Sequence, residues 1–356
     1  MDYMERALFL AERGRGRTSP NPMVGAVIVS ASGVVVGQGF HERAGEPHAE
    51  VRALNLAGDR ARGATLYCTL EPCCHVGRTG PCVHRIVEAG IERVVASIED
   101  PNPAVQGRGF AYLRARGVHV EIGPGRQQSI RLNQPFLTLM REHRPFVILK
   151  AATSIDGYVA EAPATRTQLT SEAGNRHAQA FRAEVDAIGV GVGTVLADDP
   201  LLTVRGIYRE RPLTRVVFDR RLRTPTHARL LSTLEAGPVI ILTTAAAARP
   251  GVRQGLEARG VQIDVAADDS FRSALERLGE REIGSLLLEG GARMHAAAWD
   301  EGLVDFVRLY VTPIALGRGG VPFLEHRDFA TATLVERRVE ALGADVLIEG
   351  YVHRPD

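Results

Sequence analysis

His48-Ala49-Glu50 and, further on, Pro72-Cys73-Cys74-His75-Val76-Gly77-Arg78-Thr79-Gly80-Pro81-Cys82 decide how this chain is read. They supply one imidazole, two separated thiols and a carboxylate two residues from the imidazole. Catalytic zinc takes three protein ligands and leaves a fourth position for water. His48, Cys73 and Cys82 offer one nitrogen and two thiolates. The thiolate charges balance those of the ion, and the ion brings the acidity of bound water into the physiological range. Glu50, close to a ligand without being one, is placed to carry protons. A structural zinc would need a fourth protein ligand, for which Cys74 or His75 is the candidate, but adjacent residues seldom point at one ion. No Cys-x-x-Cys redox pair occurs.

Outward from this stretch the apolar pattern alternates. Met4, Ala7, Leu8 and Ala11 share one helix face, closed by Gly14 and Gly16. Residues 24–29 and 34–36 flank the turn 30–33 as a β-hairpin. Helices are predicted over 48–56, 83–89 and 109–116, and strands over 64–70, 93–98 and 118–122. Such alternation implies an α/β fold with a largely parallel sheet and helices on both faces, its chemistry on loops after strand ends. Gly123-Pro124-Gly125 interrupts the pattern and a polar helix follows over 126–140. The expected division is therefore a first domain at 1–122, a linker helix region at 123–144 and a second α/β domain at 145–356. In the second, strands are predicted at 146–149, 187–192, 215–218, 239–242, 261–265, 285–288 and 304–312, with two short ones near Val335 and Val346.

A chain of 356 residues with 45% apolar content is long enough for two cores. With 43 basic and 42 acidic residues the net charge is +1, so no global field holds a nucleic-acid backbone. Aromatics make up 5%, which also argues against a protein that would use this site's fold to stack exposed bases. No run approaches eighteen apolar residues and the start of the chain lacks a secretory pattern, so no membrane partner and a cytoplasmic location are expected. There the four cysteines stay reduced. Lys150 is the only lysine, and arginine cannot replace its compact, titratable ammonium.

His-x-Glu followed by Pro-Cys is the pattern of zinc deaminases, here with eight residues between the cysteines where two are usual. Further motifs narrow the resemblance. Asn21-Pro22-Met23-Val24-Gly25, Gly37-x-Gly39-x-His41, Gly77-Arg78-Thr79-x-Pro81-Cys82 and Asp100-Pro101-Asn102-Pro103 resemble the bifunctional riboflavin-biosynthesis deaminase/reductase family across nearly the whole chain. Lys150-x-x-x-Ser154-Ile155-Asp156-Gly157, the run from Thr194 to Arg205 and Leu288-Glu289-Gly290-Gly291 continue it.

The resemblance implies a cytidine-deaminase-like three-layer domain followed by a dihydrofolate-reductase-like α/β domain. It implies two steps: zinc-dependent hydrolysis of the exocyclic amine of a phosphoribosylaminopyrimidine, then NADPH-dependent reduction of its ribosyl chain to ribityl. It also implies a homo-oligomer, dimer or tetramer. Asn21 and His41 match pyrimidine-binding positions. Lys150, Arg182, Leu202, Arg205 and Glu289 match positions around the sugar and its phosphate, and Ala152, Asp156, Thr194, Asp198, Gly290 and Gly291 match cofactor-binding positions. Glycines after the 285–288 strand and before a helix suit a phosphate, and arginine suits the substrate anion. Where the family carries Ser-x-Trp-Ile-Thr, this chain has Arg166-Thr167-Gln168-Leu169-Thr170, with its one tryptophan at Trp299. A deaminase with a weakened or redirected reductase half is the alternative expectation.

Overall fold

The structure is a computed structural model and describes residues 2–75, 80–163, 165, 167–247, 250–325, 327 and 329–355. Its contacts form two units, one over Met1–Glu142 and one over His143–Arg354. No helix among the described residues is long and apolar enough to cross a membrane.

The first unit runs α1 (Tyr3–Glu12), β1 (Gly25–Val29), β2 (Val35–Phe40), α2 (Ala49–Ala57), β3 (Thr65–Cys68), α3 (Cys82–Glu88), β4 (Arg93–Ala96), α4 (Arg108–Arg114), β5 (His119–Ile122), α5 (Arg126–Leu132) and α6 (Gln134–Glu142). Asp2 and Glu5 close a capping box at the start of α1, satisfying two backbone amides reciprocally. The sheet order is β2-β1-β3-β4-β5. It is mixed where a largely parallel sheet was expected. The short turn of the β1–β2 hairpin forces antiparallel pairing, β3 returns antiparallel to β1, and only β3, β4 and β5, separated by helices, run parallel. Helix α1 packs with Val27, Val29 and Val95, while Ala26, Ile28 and Leu66 join α2 and α3 in the larger core.

Glycines set the distance of the first helices from the sheet. A Cβ on Gly25 would lie 1.9 Å from the Ala7 carbonyl oxygen of α1, and one on Gly37 2.2 Å from the Ala53 carbonyl oxygen of α2. Gly37→Ala therefore forces α2, with His48 and Glu50 at its start, off the sheet. The expected loss is about 3 kcal/mol, read as a lower midpoint in thermal unfolding.

The helix read over 126–140 is two helices, parted at Asn133. The Asn133 amide accepts from Met23 N at 2.7 Å and donates to Met23 O at 3.0 Å, tying the break to the segment that carries Asn21. Both helices belong to the first unit.

The second unit runs β6 (Phe146–Ser154), β7 (Tyr158–Ala160), α7 (Glu172–Arg182), β8 (Ala187–Gly191), α8 (Val192–Asp198), β9 (Thr214–Phe218), β10 (Val239–Thr243), α9 (Pro250–Glu257), β11 (Gln262–Val265), α10 (Phe271–Gly279), β12 (Ser285–Gly290), α11 (Ala292–Asp300), β13 (Phe306–Thr312), β14 (Val321–Pro322), β15 (Val335–Leu342) and β16 (Asp345–Tyr351). Its nine-stranded sheet has the order β11-β10-β9-β8-β12-β6-β13-β16-β15. Pairing is parallel from β11 to β13, and β16 and β15 close one edge as an antiparallel hairpin of strands longer than the short ones expected. Strand β6 lies between β12 and β13, so its run Phe146–Leu149 is buried on both faces. Lys150 follows that run, with Arg308 opposite it on β13.

Candidate active sites

In the first unit His48 is the N-cap of α2 in extended conformation, Cys73 follows the chain out of β3, and Cys82 is the first residue of α3. His48 Nδ1 lies 3.2 Å from Cys82 Sγ and 3.4 Å from Cys73 Sγ, and Cys82 N donates to Cys73 Sγ at 3.4 Å. The three ligand atoms all fall within 4.8 Å of one another. Hydrogen bonds from Cys82 and His48 hold the Cys73 thiol well below its ordinary range, while the same contact with Cys73 and burial push Cys82 up. The hydrogen bond to Cys73 outweighs burial and raises His48 to about 8. One nitrogen and two sulfurs converging in this way fit a tetrahedral zinc with one open position.

Glu50 stands in the first turn of α2, buried to 3% exposure, and burial pushes its carboxyl to about 7. Asn21 and His41 are brought to the same place. Asn21 Nδ2 donates to His41 Nε2 at 3.1 Å, and the His41 ring meets that of His48 edge-on at 5.4 Å. Burial first, then the charge of His48, lowers His41 to about 4, so its imidazole is neutral. A neutral ring beside the ligands repels no cation.

Glu71 has no role in the motifs read from the sequence. Its carboxylate is buried and accepts four backbone amides: Asp100 at 3.1 Å, Gly107 at 3.0 Å, Gly109 at 2.9 Å and Phe110 at 3.2 Å. It thereby fixes the loop from Asp100 to Gly107 against the segment that carries Cys73. An acid directly before Pro72-Cys73 was the signal available. Gly77, Arg78 and Thr79, on which the resemblance leaned, lie outside the described residues.

In the second unit Arg182, the last residue of α7, grips Glu289 on β12 bidentately, Nε to Oε1 at 2.7 Å and Nη2 to Oε2 at 2.5 Å. Arg182 Nη1 also donates to Thr203 O at 3.3 Å. Burial raises the Glu289 carboxyl, but Arg182, Lys150 and Arg205 outweigh it and hold the group at about 2. Burial, aided by Arg182 and opposed by Glu289, lowers Lys150. The sequence therefore brings Lys150, Arg182 and Glu289 into one electrostatic cluster, with Arg205 exposed and acting at longer range.

Gly290 ends β12 and Gly291, at φ 89°, is the N-cap of α11. A Cβ on Gly290 would lie 2.8 Å from Thr194 Oγ1, so Thr194 of α8 and this turn share one surface. Ala152 pairs with Tyr310 on β13, Asp198 ends α8, and Leu202 is buried at φ 55°. Asp156 spends both oxygens locally, Oδ1 on Ser154 Oγ at 2.5 Å and Leu316 N at 3.1 Å, and Oδ2 on Gly317 N at 2.7 Å. It shapes a loop. Gln168 is exposed and its amide donates to Thr170 O at 3.3 Å, while Arg166 lies outside the described residues.

The sequence matches two family models, the cytidine and deoxycytidylate deaminase zinc-binding region over residues 1–98 and the RibD C-terminal domain over residues 145–348. Riboflavin biosynthesis protein RibD of Aquifex aeolicus is 40% identical over 349 residues, 98% of this chain and 97% of its own length. The RibD of Escherichia coli is 42% identical over 329 residues, 88% of each. Among solved structures, Acinetobacter baumannii RibD has a TM-score of 0.87 at 36% identity, covering 99% of this chain and 98% of its own. A Thermotoga maritima protein described as a diaminohydroxyphosphoribosylaminopyrimidine deaminase/5-amino-6-(5-phosphoribosylamino)uracil reductase has a TM-score of 0.82 at 33% identity, covering 98% and 97%. The two-domain fold that the resemblance implied is the fold observed. With both halves matched from end to end, the chain belongs to the RibD family, and it is a zinc-dependent deaminase joined to an NADPH-dependent reductase of riboflavin biosynthesis.

Proposed function

We propose that His48, Cys73 and Cys82 hold the zinc, Glu50 carries the protons, and the substrate is 2,5-diamino-6-(5-phosphoribosylamino)pyrimidin-4(3H)-one. The convergence of the three ligand atoms beside a buried Glu50 is the observation that carries this reading. Zinc supplies an activated water at neutral pH. Glu50 takes a proton from the attacking water and delivers it to the ring nitrogen, then takes a second from the hydroxyl left on the amine-bearing carbon and passes it to the amine, which leaves as ammonia while the carbonyl forms. Asn21 and His41 bind the pyrimidine, the neutral imidazole reading a polar edge without adding charge.

In the second unit Lys150, Arg182, Leu202, Arg205 and Glu289 take the ribosyl chain and its phosphate. Ala152, Asp156, Thr194, Asp198, Gly290 and Gly291 form the NADPH side, Asp156 through the loop it fixes and the glycine turn through amides aimed at phosphate. The protein works as a homo-oligomer, dimer or tetramer, in the cytoplasm and without a nucleic-acid partner.

A coupled assay on one zinc-loaded sample tests the reading. Ammonia release is expected with the diamino substrate, and NADPH oxidation only once the deaminated product is present. Ammonia release with no NADPH oxidation would instead support the weakened reductase that Gln168 raised.

A further inference from the structure

Among the described residues the Lys150 ammonium makes no hydrogen bond or ion pair, yet it stands over the Tyr310 ring, 5.5 Å from the ring centre. Residues two apart on a strand share a face. Lys150 and Ala152 do so on β6, and their partners Arg308 and Tyr310 do so on β13. Tyr310 is fully buried, and its hydroxyl is hydrogen-bonded to His177 Nδ1 at 3.0 Å, the two rings edge-on at 5.9 Å. His177 and Phe181 lie one turn apart on α7, and Phe181 is covered by the Arg308 guanidinium at 3.8 Å. Arg308 is in turn held by Glu349, at 2.8 Å and 2.7 Å. The same helix ends in Arg182, which grips Glu289. Helix α7 therefore locks both the ring under Lys150 and the carboxylate that faces it.

We infer that Tyr310, locked by His177, is a positioning residue for the reductase step: its ring is the seat that aims the Lys150 ammonium at the sugar. A cation on a ring face is attracted by the ring quadrupole, most strongly where water is excluded, and a long, flexible lysine without hydrogen bonds needs such a seat to hold one direction. The inference rests on the reading that Lys150 acts in the reductase step.

The test uses the full-length, zinc-loaded chain and follows NADPH oxidation with the deaminated phosphoribosylamino substrate. Tyr310→Leu removes the seat, and kcat is expected to fall about ten- to thirtyfold, the span of a desolvated cation–ring contact, with KM for NADPH within about twofold. Tyr310→Phe keeps the ring and recovers most of the rate that Tyr310→Leu loses. A wild-type kcat in Tyr310→Leu overturns the inference, as does a Tyr310→Phe variant as slow as Tyr310→Leu. If Tyr310→Leu abolishes the thermal transition of the reductase unit, His177→Phe decides. It frees the hydroxyl but leaves the ring, so kcat falls about threefold at constant KM if the seat holds and stays at wild type if it does not. Lys150→Met separates the two readings. Loss of NADPH oxidation there with a fast Tyr310→Leu sinks the seat alone, whereas unchanged oxidation in Lys150→Met sinks the reading of Lys150 itself.

Discussion

Glu50→Gln keeps about one zinc per chain and loses deamination by roughly 10²–10⁴-fold, the range of a positioned proton carrier, while NADPH oxidation with the deaminated substrate proceeds at the wild-type rate. Glu50 starts α2 two residues after His48 and is buried to 3% exposure, so a glutamine of the same shape fits the same space. The three proposed ligands, His48, Cys73 and Cys82, are untouched by the change, so the metal is expected to stay. What disappears is the carboxylate to which the proposed function gives the proton transfers. Elemental analysis and ammonia release on the same sample check both halves. Retained turnover would refute the proton-carrying role, and loss of zinc would make Glu50 a ligand.

The first site was legible because its chemistry is written in residue types that proteins rarely place together for other reasons. An imidazole, two thiols and a flanking carboxylate carry their meaning without a fold, and the fold had only to bring 48, 73 and 82 together. The glycines of Gly37-x-Gly39 were legible as a motif but not as a cause. Only the backbone contacts show that they let α2 sit against β2: a Cβ on Gly39 would lie 2.8 Å from Ala49 O, and one on Gly37 2.2 Å from Ala53 O. Glu71 was opaque for a related reason: its partners are backbone amides from Asp100 to Phe110, and backbone groups leave no trace in residue identity. The mixed sheet followed from loop length, which the alternation of helix and strand patterns does not weigh. In the second unit Lys150 stood out by composition, whereas Tyr310 looked like any aromatic on a buried strand until the register put it beside Ala152.

Glu289→Gln abolishes NADPH oxidation and leaves ammonia release unchanged, and it does so through Arg182 as much as through the lost carboxylate. Arg182 is 15% exposed and Glu289 7%, so the pair is a buried one. Removing one partner of such a pair strands the other charge and costs roughly 3–5 kcal/mol. Arg182 is released from the bidentate grip that holds it in the place the proposed function gives it, and Lys150 loses the opposing charge that supports its ammonium. The sign of the pH effect follows from the depressed carboxyl. Held at about 2 against an ordinary value of 4.5, the group stabilises the wild-type unit fully above 4.5 and progressively less as pH falls toward 2. Thermal unfolding of wild type should therefore lose stability across that window, and Glu289→Gln, already lower at neutral pH, should lose less there. Equal slopes in the two proteins would mean that Glu289 is not the carboxylate that Arg182 holds charged. Unchanged NADPH oxidation would remove the pair from the reductase site.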